Sequence, residues 1–178
     1  MEGKIVPREL NPIRLRKNEL VVPIDTRVMC IGDLEALCEG IPQLEQHLGL
    51  PSAKGGVLPP EFVKGYIDSA RLRPDWLGVW AIQNGVIVGS GGFKSKPEDG
   101  TVEIGYGVSP EHEGKGIGTE IARRLTELAF IQGAEVVRAH TLREGLASQR
   151  ILTKNGFSYV GDFIEPEDGL VMRWEIRK

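Results

Sequence analysis

The strongest constraint on this chain is a dipeptide, Asn84-Gly85, set between two apolar, β-prone runs at residues 76–82 and 86–89. A two-residue turn joining antiparallel strands needs positive φ at both central positions, and Asn followed by Gly meets that need at little cost. The spacing predicts a hairpin. A third strand, residues 101–108, follows the polar turn Lys96-Pro97-Glu98-Asp99-Gly100, so the middle of the chain reads as a three-stranded antiparallel meander.

The flanks are less sharply written. Leu20-Val21-Val22, closed by Pro23, reads as a strand. Residues 26–39 place Met29, Leu34, Leu37 and Cys38 at loosely helical spacing, with Gly40 and Pro42 as stops and both cysteines as packing residues of that helix. Residues 41–60 combine Gly and Pro with few core formers and read as a mobile loop. A second helix covers 60–72, Pro60 being tolerated in its first turn.

Downstream, Ile117, Ile121, Leu125 and Leu128 recur at intervals of four, four and three, which makes one buried stripe on a helix of residues 116–132. Glu120, Arg123, Arg124 and Glu127 take its wet side, and Gly133 ends it. A strand at 135–141, a helix at 146–154 stopped by Asn155-Gly156, and strands at 157–164 and 170–176 complete the chain. The order is strand, two helices, three strands, helix, strand, helix, two strands. That is α+β with a mixed sheet.

A length of 178 residues suits one domain over 1–178. Twenty-two Lys and Arg against 25 Asp and Glu give a net charge of −3, which argues against a general grip on nucleic acid. Two cysteines and three histidines, dispersed, make neither a disulfide scaffold nor a metal set. The opening MEGKIVPREL has no apolar core of a signal peptide, and no run approaches a membrane span, so a soluble, cytoplasmic protein is expected.

The chemistry concentrates in Gly114-Lys115-Gly116-Ile117-Gly118, between a strand and a helix. Residues without Cβ let the backbone approach a ligand, and a helix start offers unpaired N–H donors, so the turn predicts a phosphate or pyrophosphate site. A P-loop does not fit, because Lys115 lies between glycines and no hydroxyl follows it. A dinucleotide fingerprint needs a longer last gap and a parallel unit in front, whereas antiparallel strands precede this turn.

The run Glu103-Ile104-Gly105-Tyr106-Gly107-Val108-Ser109-Pro110, the glycine turn, and the later LASQRILTKNGF together resemble the GCN5-related N-acetyltransferase (GNAT) superfamily over about residues 76–164. The family's acetyl-CoA turn is (Q/R)-x-x-G-x-(G/A); Gly116 and Gly118 take its small positions and Glu113 stands where Gln or Arg is usual. Ser148, Gly156 and Phe157 match the second motif. The flavour is similar to the branch that acetylates N-termini of ribosomal proteins, and to some antibiotic-modifying enzymes.

The resemblance implies a seven-stranded, mostly antiparallel sheet splayed between its fourth and fifth strands and flanked by about four helices. It implies acetyl-CoA as cosubstrate and no metal. Backbone at Tyr106 and Val108 would pair with pantetheine, and Glu113, Gly114, Lys115, Gly116, Ile117, Gly118 and Thr119 would hold the pyrophosphate. Gly145 replaces the second motif's usual Asn, and Leu152 lies where many members carry a catalytic Tyr.

A primary alkylamine titrates near ~10 and reaches the enzyme protonated, so a base must free its lone pair. Glu103 is the candidate, directly or through water; a solvated strand carboxylate is the alternative. Val108 N–H, on a bulge there, would meet the oxyanion. Ser148 is a candidate catalytic donor to the departing thiolate as well as a cofactor contact. His140 is a second candidate base, since imidazole titrates near ~6.5. His112 could meet a phosphate, Arg123 and Arg124 the adenosine phosphate. Residues 41–75 and the acidic turn of Glu165, Glu167 and Asp168 would frame a small-molecule amine or a peptide N-terminus, and a homodimer is compatible. The competing expectation is a non-catalytic CoA-binding module of the same fold. A nucleotide-dependent oxidoreductase stays as a third expectation, one that predicts stabilisation by NADH and not by acetyl-CoA.

Overall fold

The computed structural model describes residues 23–165 and 169–178. The strand expected at 20–22, and Pro166, Glu167 and Asp168 of the last turn, lie outside them. β1 (Asp25–Val28) is followed by α1 (Ile31–Glu39), α2 (Ile41–Leu48) and α3 (Pro60–Arg71). The meander β2 (Gly78–Gln83), β3 (Val86–Phe93) and β4 (Thr101–Val108) comes next, then a 3-10 turn at Pro110–His112 and α4 (Ile117–Ile131). β5 (Val136–Thr141), α5 (Leu146–Lys154), β6 (Ser158–Glu165) and β7 (Gly169–Arg177) complete the order.

The seven strands form one sheet in the order β1-β2-β3-β4-β5-β7-β6. Every neighbouring pair is antiparallel except β4 and β5. The sheet is as expected, with five α-helices among the described residues rather than about four. None of them is long and apolar enough to cross a membrane.

The local turn chemistry behaves as written. Asn84 and Gly85 take φ of 53° and 74° between paired Gln83 and Val86. Asp99 and Gly100, at 48° and 72°, repeat the device between β3 and β4, where Glu98 and Thr101 exchange N–H···O bonds of 2.9 and 2.8 Å.

Two expectations near the N-terminus are corrected. Residues 26–39 are not one helix: Asp25–Val28 pairs with β2, and α1 starts only after Cys30. Cys30 is an exposed N-cap rather than a packing residue; Cys38 does pack, half-buried, against the core. Residues 41–60 are not one loop either. Pro42 stands in the first turn of α2, where its missing N–H costs nothing, and Leu44 and Leu48 are buried. The rest of that segment is tied to the sheet, Ile87 donating to Pro51 O and accepting from Ala53 N–H, both at 2.8 Å.

Alternation along the strands feeds two cores, one on each face. Val79, Val88, Val102, Ile104, Val137 and Ala139 meet Ile117, Ile121 and Leu125 of α4 and Leu152 of α5. On the other face Trp80 and Ile87 meet Leu34, Leu37, Leu44 and Val63 of the first three helices. There, wholly buried Asp33 accepts from Trp80 Nε1–H (3.0 Å), Cys30 N–H (3.1 Å) and the Cys30 thiol (3.3 Å). His47 lies 3.1 Å and the Arg27 guanidinium 3.7 Å from the same carboxylate. Four hydrogen-bond contacts from three residues, with the Arg27 charge beside them, thus satisfy a charge that would be costly to bury alone.

Candidate functional site

The pairing of β4 with β5 stops early. Thr101, Val102 and Glu103 face Val136, Val137 and Arg138, and beyond that point the two strands part. On its other side β4 stays paired with β3 all the way to Gly89:Val108. The ladder is fixed at both ends, by Lys94 N–H to Glu103 O at 2.9 Å and Ser109 N–H to Val88 O at 2.8 Å. In an antiparallel ladder the intervening residues alternate, so Ile104, Tyr106 and Val108 turn their N–H and C=O groups away from β3 and into the fork. The register runs without a shift, so the bulge expected at Val108 is absent, yet alternation alone aims its N–H into the gap.

At the fork's far end the chain makes the glycine turn. Gly114 and Gly116 have φ of 73° and 84°, a backbone that side chains strain to adopt, and Gly116 caps α4. The first helical bond is Glu120 N–H to Gly116 O at 3.0 Å. No described acceptor takes the N–H groups of residues 114–119, which leaves a run of donors at the positive end of a 15-residue helix. Ile117 itself is core, 1% exposed, so only its amide serves the turn. Lys115 Nζ donates to Glu111 O at 2.9 Å, and Glu113 is extended and exposed. Such a turn fits a diphosphate.

Between the arms lies a cavity of about 170 Å³ lined by Glu103, Tyr106, His140 and Ser148 among others. Tyr106 reaches across to α5, its hydroxyl 2.9 Å from Ser148 Oγ. Burial pushes the Tyr106 phenol above its ordinary value, while the Ser148 bond works the other way. It therefore stays protonated at neutral pH and can donate.

Glu103 sits at the crotch of the fork. Its Oε1 receives Lys94 Nζ at 2.6 Å and lies 3.1 Å from His140 Nδ1, whereas no described donor reaches Oε2. His140, its side chain 6% exposed, has its Nε2 covered by Arg173 Nε–H at 2.9 Å. Since that nitrogen must accept, His140 has no lone pair left to act as a base. Glu165 Oε1 stands 3.6 Å from both Arg173 and His140, so its charge is already matched.

Other candidates stay outside the fork. His112 lies 3.4 Å from Ser109 Oγ, and His47 belongs to the Asp33 group. Arg123 is held by Glu120 and Glu127, and Arg124 lies 3.5 Å from Glu127, the solvated face of α4. Leu152 is fully buried, and Gly145 precedes α5 with no side chain to offer. Lys94 and Arg173 were not anticipated. Strand register brings Arg173 opposite His140, a pairing that no local signal announces.

A family described as "Acetyltransferase (GNAT) domain" matches residues 27–158. An uncharacterized N-acetyltransferase, YobR of Bacillus subtilis (strain 168), is 41% identical over 71 residues, 35% of this chain and 29% of the relative. The N-acetylaspartate synthetase of Danio rerio is 29% identical over 98 residues, 54% of this chain and 35% of the relative. The chain thus matches only about a third of the length of these curated relatives. Among solved structures, yncA from Salmonella typhimurium with acetyl-CoA aligns at TM-score 0.61 and 23% identity, covering 86% of this chain and 93% of that one. RimJ of Mycobacterium smegmatis in complex with CoA-disulfide aligns at 0.61 and 20%, covering 86% and 81%. Aminoglycoside acetyltransferase AAC(6')-Ib in complex with coenzyme A aligns at 0.61 and 20%, covering 88% and 95%. With the family profile spanning most of its length and the forked sheet already in view, the chain belongs to the GNAT acetyltransferase domain family.

Proposed function

We propose that this chain, as a single cytoplasmic domain, moves the acetyl group of acetyl-CoA to a primary amine by direct attack in a ternary complex. The observation that carries the reading is Glu103, a carboxylate with one unclaimed oxygen on the wall of the cavity between the parted strands. Acetyl-CoA supplies an activated thioester; the residues around it do the rest. Amides at 114–119 take the diphosphate, and the Tyr106 and Val108 main chain pairs with the pantetheine arm. Glu103 removes a proton from the ammonium, directly or through water, and the freed nitrogen attacks the carbonyl carbon. Val108 N–H meets the oxyanion. As the C–S bond breaks, the nitrogen releases its second proton to water and becomes an amide, while the thiolate takes a proton through the Ser148 hydroxyl, which Tyr106 holds and can resupply.

The acceptor is a small-molecule amine or a peptide N-terminus, the latter following the likeness to the ribosomal-protein branch. A strongly cationic acceptor loses support, because Glu165 is occupied by Arg173.

Thiol release from acetyl-CoA over an amine panel tests the reading. Glu103→Gln keeps the shape and removes the base, so turnover should fall by roughly 10²–10⁴ while CoA affinity holds. Unchanged turnover removes Glu103 from the role. Leu152, apolar where many members carry Tyr, favours a second reading, a CoA-binding module without catalysis. That reading predicts CoA binding with no thiol release on any amine.

A further inference from the structure

Four side chains form one polar row across adjacent strands: Glu103 on β4, His140 on β5, Arg173 on β7 and Glu165 on β6. Register explains it, since His140 pairs directly with Arg173 and all four project from the face opposite α4 and α5. The row runs from the base of the proposed reaction to the edge of the β6–β7 hairpin.

The donors in this row have only one consistent arrangement. Arg173 Nε–H cannot accept, so His140 Nε2, 2.9 Å away, carries the lone pair and the ring proton must sit on Nδ1. Nδ1–H then donates to Glu103 Oε1 at 3.1 Å. Free imidazole prefers the other tautomer, so Arg173 at Nε2 and the Glu103 carboxylate at Nδ1 together select this one. Arg173 is itself held, its guanidinium 3.4 Å over the Phe163 ring and 3.6 Å from Glu165. Lys94 adds a second donor to the same Oε1.

We propose that His140, locked as its Nδ1–H tautomer between Arg173 and Glu103, is the positioning residue that pins Glu103 by Oε1 and so assigns Oε2 to the incoming amine. The proposal rests on the reading of Glu103 as the base. Without the lock only the exposed Lys94 ammonium holds the carboxylate, and a flexible side chain can follow either oxygen, so either one can face the acceptor. A misplacement of about 1 Å at such a group can cost on the order of 100-fold in rate.

Two measurements test it in the intact chain. Ring nitrogen NMR, with His140→Asn to assign the signal, should show His140 protonated on Nδ1 and unprotonated on Nε2. In Arg173→Met the Nε2 signal should move as it loses its hydrogen-bond donor, while Nδ1 stays protonated on Glu103. A wild-type ring with its proton on Nε2 overturns the lock.

The second measurement is kinetic and uses shape. An Asn side chain at 140 places its N–H near the Nδ1 position, whereas Gln places it near Nε2. His140→Asn should keep kcat within about 3-fold of the parent, and His140→Gln and His140→Ala should lose roughly 10–100-fold, all with KM for acetyl-CoA unchanged. A purely structural role predicts no such split, and Gln rescuing better than Asn overturns the assignment. If the wild-type chain acetylates no amine while its ring still shows the Nδ1–H form, the proposed function falls and the positioning role with it. If it acetylates an amine and Asn fails to rescue, only the positioning role falls.

Discussion

Gly116→Ala separates the fold from the donor site, provided Gly133→Ala is made beside it. Both glycines are left-handed, at φ of 84° and 96°, and neither has an atom within 4 Å of the Cβ that alanine would add. Each substitution therefore meets the same penalty, the cost of an L-residue in the left-handed region, about 1–2 kcal/mol. At this chain length about 1 kcal/mol lowers Tm by roughly 2–4 °C, so both variants should melt about 2–8 °C early. Only Gly116 bears the fan of N–H groups. Either the turn keeps its shape with a methyl where the main chain must approach a diphosphate, or it relaxes and the donors diverge. Losing one hydrogen bond to a charged group costs about 1.5–3 kcal/mol, which is roughly 10–150-fold in Kd. Calorimetric titration with CoA should show that loss in Gly116→Ala and little change in Gly133→Ala. Equal CoA affinity in the two variants would refute the assignment of the diphosphate to this turn.

Leu125→Ala, at a fully buried position where α4 meets the sheet, should cost about 2–5 kcal/mol in urea unfolding; a loss under 1 kcal/mol would mean the helix is not seated as described. The Tyr106 and Tyr66 phenols are both raised above ~10 by burial. The stability they lend is complete below the unfolded value and drains away as pH climbs through the folded one, since the unfolded chain ionises first. Tyr106→Phe should therefore flatten part of the alkaline fall in unfolding free energy above about pH 10, and an unaltered slope would place Tyr106 in solvent.

What the amino-acid order disclosed was what local chemistry governs. Asn84-Gly85 and the Ile117–Leu128 stripe each determine their own conformation, and the positive φ that Gly114 and Gly116 adopt is one that glycine alone takes freely. β1 was missed because a four-residue strand exists by virtue of its pairing with β2, some fifty residues on. α2 was missed because Pro42 reads as a terminator until its position in the first turn is known, and because two leucines are too few to show a period. Within the site, Glu103, Tyr106 and Ser148 were named in advance and do line one cavity. Lys94 and Arg173 were not, for they acquire meaning only through the register of β3 on β4 and of β5 on β7.

The grip proposed for the donor is made almost wholly of peptide groups, and a peptide group is common to every residue. Mutation can rewrite the side chains along the glycine turn and the parted strand without removing a single hydrogen-bond donor, as long as the two left-handed bends survive. Chains only 20–23% identical to this one share its fold. The wall proposed for the acceptor's side, built from cavity-lining side chains such as Lys94 and His140, has no such insurance, and it is there that substitution would turn this chain toward a different amine while its hold on the coenzyme is left alone.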